Sequence, residues 1–133
     1  MDVFVYGTLT APDRVAEVLD AYAFVGAARL EGLHAVEGRY PTLAPGGATG
    51  GRLLRTDDLD ALDAYEGIDE RRYVRVSVPL VGSDDHPDGA AVYVGDPDRL
   101  DADAVWPGTG SFPERVRGYL REHEVRVTVE PER

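Results

Sequence analysis

Apolar positions along the chain fall into short runs punctuated by glycine, proline and acidic residues. Residues 2–6 hold the run Val3-Phe4-Val5-Tyr6 and stop at Gly7, the pattern of a buried first strand. Thr10-Ala11-Pro12-Asp13 has the form of a helix start. Thr10 can cap, Pro12 fits the first turn, and Asp13 favours the positive end of the dipole. Val15, Val18, Leu19 and Tyr22 follow at helical spacing. From Phe24 to Val36 an extended segment is expected, with bulges or bends at Gly26 and Gly32. Tyr40-Pro41-Thr42-Leu43 reads as a short extended piece, Pro45 to Gly51 as a flexible loop, and Arg52 to Arg55 as a strand.

A second helix is expected from about Asp57 to Tyr65, with Leu59, Leu62 and Tyr65 inward and Gly67 as a left-handed cap. Tyr73–Val78 and Ala91–Val94 predict two strands joined by a polar, mobile hairpin connection from Gly82 to Gly89. Ser111-Phe112-Pro113-Glu114 is a capping box that opens a helix to about His123, with Val116 and Leu120 inward. Strands and three helices in irregular order predict an α+β fold rather than a repeating βαβ wind. With 133 residues, no internal repeat and no linker, the chain reads as a single domain over 1–133.

Composition removes several functions. There is no cysteine, hence no disulfide, thiolate metal site or cysteine nucleophile. No stretch of 18 or more apolar residues is present to span a membrane, and the N-terminus lacks the pattern of a signal peptide. A cytoplasmic location is expected. Acidic residues number 25 against 14 basic ones, all arginine, for a net charge of −11. That balance argues against nucleic acid as a partner. The acids are scattered, as at Asp57-Asp58, Asp84-Asp85 and Asp96 to Asp103, and read as a solvated surface. His34, His86 and His123 share no ligand spacing, so no metal site is expected. The glycines from Gly46 to Gly51 lack the Lys-Ser/Thr of a phosphate loop and precede a strand. Three serines without Gly-x-Ser-x-Gly make a serine hydrolase a poor fit. Trp106-Pro107-Gly108 reads as an anchoring aromatic beside a turn.

Two segments carry candidate chemistry. In Tyr6-Gly7-Thr8-Leu9, glycine permits a turn or a close ligand approach, and consecutive backbone N–H groups can form an anion-binding concavity. The same residues also suit a plain strand-to-helix turn. Glu66 falls at the C-terminal end of the second helix, where the dipole disfavours an anion by roughly 0.3–1 kcal/mol. It follows Leu62 by four and so leans toward the buried side. Both factors would raise its pKa toward the range useful for proton transfer. The bland reading is one more acid in an acidic chain.

Taken together, Val-Phe-Val-Tyr-Gly-Thr-Leu at 3–9 and Leu-Asp-x-Tyr-Glu-Gly at 62–67, with Tyr73-x-Arg75 beyond, resemble the γ-glutamylcyclotransferase-like family. Tyr40-Pro41 and the Ala-Val-Tyr-Val strand near residue 93 also fit, so the likeness covers roughly residues 2–95. Gly51-Arg52 stands where the family often has Gly-Glu, a pair read as structural. The resemblance implies a small mixed β-barrel flanked by helices, with the site in a cavity at one side. It implies that the Tyr6-Gly7-Thr8-Leu9 backbone holds the γ-glutamyl carboxylate or carbonyl and that Glu66 is the general acid/base. Tyr73 would line the pocket and Arg75 would make a structural ion pair. The implied reaction releases 5-oxoproline from a small-molecule γ-glutamyl substrate and needs no metal, nucleotide or prosthetic group. The family includes dimers, so a homodimer stays open, as does the identity of the leaving group. Two alternatives remain: a non-catalytic binding domain for a γ-glutamyl-like metabolite, and an interaction protein whose Tyr-Gly-Thr-Leu turn is only packing.

The charge itself generates a prediction. Self-repulsion at −11 is relieved by screening, which points to a high-salt cytoplasm. The melting temperature should therefore rise with added KCl; a flat or falling series would refute the adaptation.

Overall fold

The computed structural model describes residues 2–7, 10–67, 72–81 and 89–129. Along the chain it forms β1 (Asp2–Val5), α1 (Pro12–Val18), β2 (Ala23–Val36), β3 (Thr42–Arg55) and α2 (Leu59–Glu66). There follow β4 (Tyr73–Val78), β5 (Leu80–Val81), β6 (Ala90–Gly95), α3 (Pro97–Leu100), α4 (Phe112–Glu122) and β7 (Arg126–Val129). The strands make one mixed sheet in the order β4-β6-β1-β3-β2-β7-β5. Its two margins, β4 and β5, are separated in the chain only by Pro79. One extended run thus contributes to both ends of the sheet, which curls into a nearly closed barrel flanked by helices. Proline has no N–H to donate and is tolerated where a strand changes partner. Its carbonyl still accepts from Val127 N–H at 2.9 Å.

The curl comes from the long β2–β3 hairpin. Register shifts between Phe24 and Gly26 and between Glu31 and Leu33 mark bulges, which bend a strand and increase its twist. Both fall at the glycines expected to interrupt the strand. Opposite Gly32 stand two residues, Gly46 and Gly47, both with positive φ. Residues 45–51 are therefore not the expected loop. They form the interior of β3, with Ala48 opposite Glu31 and Gly51 opposite Ala28. Pairing along β2 overrides their weak strand propensity. Gly51 is required there, since a Cβ would run into the Val5 carbonyl and the Phe4 ring.

Buried residues lie on both faces of the sheet. Phe4, Leu30, Leu53, Val76, Val92 and Val94 fill the barrel interior with Trp106, Val116 and Val127. On the other face Val3, Val5, Leu54, Ala91 and Tyr93 pack with Val15 and Leu19, the helical and capping residues of α1, and with Leu62 of α2. Adjacent residues of β1 thus enter different cores, and the strand reads as an unbroken apolar run because both faces are covered. Trp106 holds α4 through edge contacts with Phe112 and Tyr119, at 6.2 and 5.5 Å between ring centroids. Ser111 caps that helix by accepting from Glu114 N–H at 3.4 Å.

Other expectations need correction. Ala11, not Thr10, occupies the N-cap of α1. The Thr10 hydroxyl turns back to donate to the Gly7 carbonyl at 2.7 Å, a local bond that competes with capping. Helix α1 ends at Val18, so Tyr22 lies beyond it in the approach to β2. Tyr65 is 37% exposed rather than inward. The described residues contain four helices, not three; α3, β5 and β7 have at most four residues each, too few to show a period. The expected mobile connection at 82–89 lies outside the described residues except for Gly89. No described helix is long and apolar enough to cross a membrane.

Gly32 adopts φ +97°, and a Cβ there would stand 2.8 Å from the Glu124 carbonyl oxygen and 2.9 Å from Val125 Cγ2. Gly32→Ala should therefore lower unfolding free energy by about 1 kcal/mol or more, measured by urea denaturation. An unchanged midpoint would refute this account of the bulge.

Candidate active site

Strands β1 and β6 lie side by side and parallel, with Phe4 opposite Val92. Their C-terminal ends consequently emerge at the same end of the barrel. Antiparallel β4 brings its first residue, Tyr73, to the same end, opposite Gly95. The β2–β3 turn is tied there too. Buried Thr42 accepts from Gly95 N–H at 2.7 Å and donates to Gly95 O at 3.0 Å, while Arg39 N–H donates to Leu100 O at 2.6 Å. These constraints enclose a cavity of about 320 Å³. Its lining includes Tyr6, Gly7, Glu66 and Tyr73, so four of the six site residues named from sequence meet in one place. Thr8 and Leu9 lie outside the described residues.

The two tyrosines form walls. Tyr6 Oη donates to the Tyr93 carbonyl at 2.5 Å, and Tyr73 Oη donates to the Pro41 carbonyl at 2.7 Å. Burial is the main cause that pushes both phenols well above their usual range, and the nearby Glu66 charge adds to it. For Tyr6 the Tyr73 phenol acts in the same sense, partly offset by the Thr42 hydroxyl. Both remain neutral donors, unsuited to act as bases near pH 7.

Glu66 is the last residue of α2 and reaches the cavity beside Tyr65. Helix α2 starts at Asp58, whose carboxylate accepts from Ala61 N–H at 3.2 Å, and stops at Gly67 with φ 73°. Leu62 roots it in the core. Asp63 fixes its rotation. Its carboxylate takes Arg75 Nη1 at 2.8 and 2.9 Å and the Tyr93 hydroxyl at 2.6 Å. Residues three apart lie on one helix face, so Asp63 carries Glu66 with it. No hydrogen bond or ion pair reaches the Glu66 carboxylate among the described residues, and burial lifts its pKa to about 7. An uncompensated carboxyl in a low-dielectric wall prefers its neutral form.

The matches agree with this geometry. A family model described as gamma-glutamyl cyclotransferase, AIG2-like, fits residues 3–114. The chain belongs to that family. Among solved structures, an Arabidopsis thaliana protein determined in solution is 30% identical with TM-score 0.57, covering 91% of this chain and 83% of that one. A structure titled gamma-glutamyl cyclotransferase is 14% identical with TM-score 0.59, over 91% of this chain and 98% of that one, and shows the shared fold. So does an uncharacterised Homo sapiens protein at 16% identity and TM-score 0.61, over 90% and 97%. No curated protein matches the chain.

Within this cyclotransferase-family fold, the position that departs from the usual Gly-Glu pair is structural. The Arg52 guanidinium stacks over Phe24 at 3.7 Å and donates to the Thr10 carbonyl at 3.0 Å. Arg75 makes the ion pair expected of it. Reasoning from sequence assigned no role to Asp63, Tyr93, Arg14 or Arg72, although all contribute to the site or its support. The position of Asp63, one helical turn before Glu66, was the available signal. His34 Nδ1 pairs with the Gly46 carbonyl at 2.9 Å and His123 stacks on Tyr119. Among the described residues no cluster could hold a metal ion; His86 lies outside them.

The raised Glu66 pKa sets a pH test. Below the unfolded value of about 4.5 the group is protonated in both states and costs nothing. As pH rises from there through about 7, folding opposes ionisation and stability is lost. Glu66→Gln should match the wild type near pH 4 and exceed it at pH 8. The gain should be on the order of 1 kcal/mol, because solvent at the open mouth screens part of the penalty. Paired urea titrations at the two pH values measure it, and an equal difference at both would refute the assignment.

Proposed function

We propose that the chain is a γ-glutamylcyclotransferase-type enzyme releasing 5-oxoproline and a free amine or amino acid from a γ-glutamyl compound. The observation that carries this reading is a carboxyl raised to about 7 inside a cavity at the end of β1. The α-nitrogen of the substrate attacks its own γ-carbonyl carbon. A C–N bond forms to close a five-membered lactam, and the amide bond to the leaving nitrogen breaks. The α-ammonium loses a proton and the leaving nitrogen gains one.

Glu66 carries that proton in both directions. The substrate's α-ammonium lies beside its own α-carboxylate and holds its proton more tightly than a peptide N-terminus, which titrates near about 8, so it stays above Glu66 at about 7. Raising Glu66 from its usual range narrows the gap across which the proton must move, the direction that favours general acid–base catalysis. An ordinary surface glutamate would be too weak a base. The backbone from Tyr6 to Leu9 holds the γ-glutamyl group and offers N–H donors to the developing oxyanion. Tyr73 shapes the opposite wall and keeps the substrate folded, so that nitrogen and carbonyl meet at high effective molarity. Neither role calls for a metal or an organic cofactor.

A cytoplasmic enzyme of one domain follows from the same reading. A binding protein without catalysis would gain little from a carboxyl that faces an anionic ligand and has no partner among the described residues, which favours the enzyme.

Glu66→Gln preserves shape and removes the proton carrier. With a panel of γ-glutamyl amino acids and amines, 5-oxoproline formation followed by mass spectrometry should fall by about 10²–10⁴-fold, with the circular dichroism spectrum unchanged. Full turnover in that variant would sink the assignment.

A further inference from the structure

The cavity has an electrostatic asymmetry that bears on the leaving group. Among the described residues two cations contribute to its lining, Arg14 of α1 and Arg72 just before β4. Arg72 stands beside Tyr73, whose phenol its charge acts to lower. Arg14 has a different setting. Its partner is Glu17, one turn along the same helix, at 3.3 Å, with the two side chains 50% and 66% exposed. A pair so exposed is weak and exchanges readily with a better anion. Burial alone accounts for the raised Glu66 pKa, so Arg14 does not serve to hold that carboxylate.

The exposed rim of the cavity is formed by Tyr40, Tyr65 and the Arg14 side chain, whereas Tyr6 and Tyr73 are bonded into the interior wall. In a cyclisation the glutamyl carbons must sit beside the proton carrier. The departing nitrogen and its substituent must point to the mouth in order to leave. A cation at the mouth of a chain with net charge −11 therefore meets the leaving group, not the glutamyl end.

Resting on the cyclotransferase reading, we propose that Arg14 is a specificity-determining residue that pairs with a carboxylate on the leaving group. The preferred substrates are then γ-glutamyl amino acids over γ-glutamyl amines of the same carbon skeleton. A guanidinium offers paired N–H donors matched to a carboxylate, and the neutral alkyl end of an amine gains nothing from it.

The test compares γ-glutamylalanine with γ-glutamylethylamine, which differ by that carboxylate alone. Wild type should favour the dipeptide by about three- to fivefold in kcat/KM, the scale of one partly exposed ion pair. Arg14→Gln should bring the ratio close to one, and Arg14→Lys should restore part of it. A ratio near one in wild type, a ratio kept in Arg14→Gln, or an equal fall for both compounds would overturn the proposal. The equal fall would assign Arg14 to the glutamyl carboxylate. Calorimetric Kd values for both compounds on Glu66→Gln, with and without Arg14→Gln, separate this idea from the reaction itself. Discrimination that depends on Arg14 without any 5-oxoproline in wild type would sink the enzyme and keep the carboxylate site. Binding of neither compound would sink both.

Discussion

The structure depends on a closure constraint, in which one stretch of chain must serve both margins of the sheet. Residues 73–78 pair with β6, residues 80–81 pair with β7, and Pro79 stands between. A seven-stranded sheet can meet that demand only by curling, which also shields its edges from pairing with other chains. The curl needs local devices, and they sit in the β2–β3 hairpin as glycine bulges at Gly26 and at Gly32 opposite Gly46-Gly47. With the barrel closed, the ends of β1 and β6 have fixed neighbours. Tyr6, Tyr73 and the Tyr40-Pro41 turn come together although the chain separates them widely.

Helix α2 is the second link. Its catalytic candidate stands at its last residue, where helices fray most readily. Two constraints oppose fraying. Gly67 closes the helix in a left-handed cap, and Asp63 is gripped from the sheet by Arg75 and Tyr93. The grip is half-buried, so removing Arg75 would leave Asp63 with one partner and a desolvation cost. The same helix turn thus carries an acid that is fully partnered and an acid that has no hydrogen-bond partner among the described residues. Their environments, not their residue type, set the two carboxyls apart, one held in an ion pair and the other buried with a raised pKa.

Legibility in the sequence followed the range of the forces involved. Strand β1, the helix α2 with its Gly67 cap, and the Ser111 capping box were readable because each rests on neighbours within a few residues. The class of fold and the position of Glu66 on a half-buried helix end were readable for the same reason. Residues 45–51 carry a local loop signal, because five of the seven are glycine or proline, while their strand form is set by β2 across the hairpin. β5 and β7 exist only through partners elsewhere in the sheet. Thr10 looked like a cap, yet its hydroxyl found the Gly7 carbonyl first. Asp63 was visible within a motif, but its role depends on Arg75 and Tyr93, which arrive through tertiary packing.

The charge distribution ties the site to the whole molecule. An excess of surface acid keeps the folded chain at −11, which by itself repels an anionic substrate. Local donors must overcome that field within a few ångströms, and a cavity wall that includes neutral phenols, Arg14, Arg72 and a carboxyl held near 7 adds little negative charge of its own. Glu66 would repel a glutamyl carboxylate if it were fully ionised. Held near 7 by burial, it carries less negative charge at neutral pH than an exposed glutamate would. That burial has a stability cost that a glutamine would avoid. A buried carboxyl without a hydrogen-bond partner among the described residues departs from the rule that buried polar groups are satisfied, and such departures are expected where a position is kept for binding or chemistry rather than for packing.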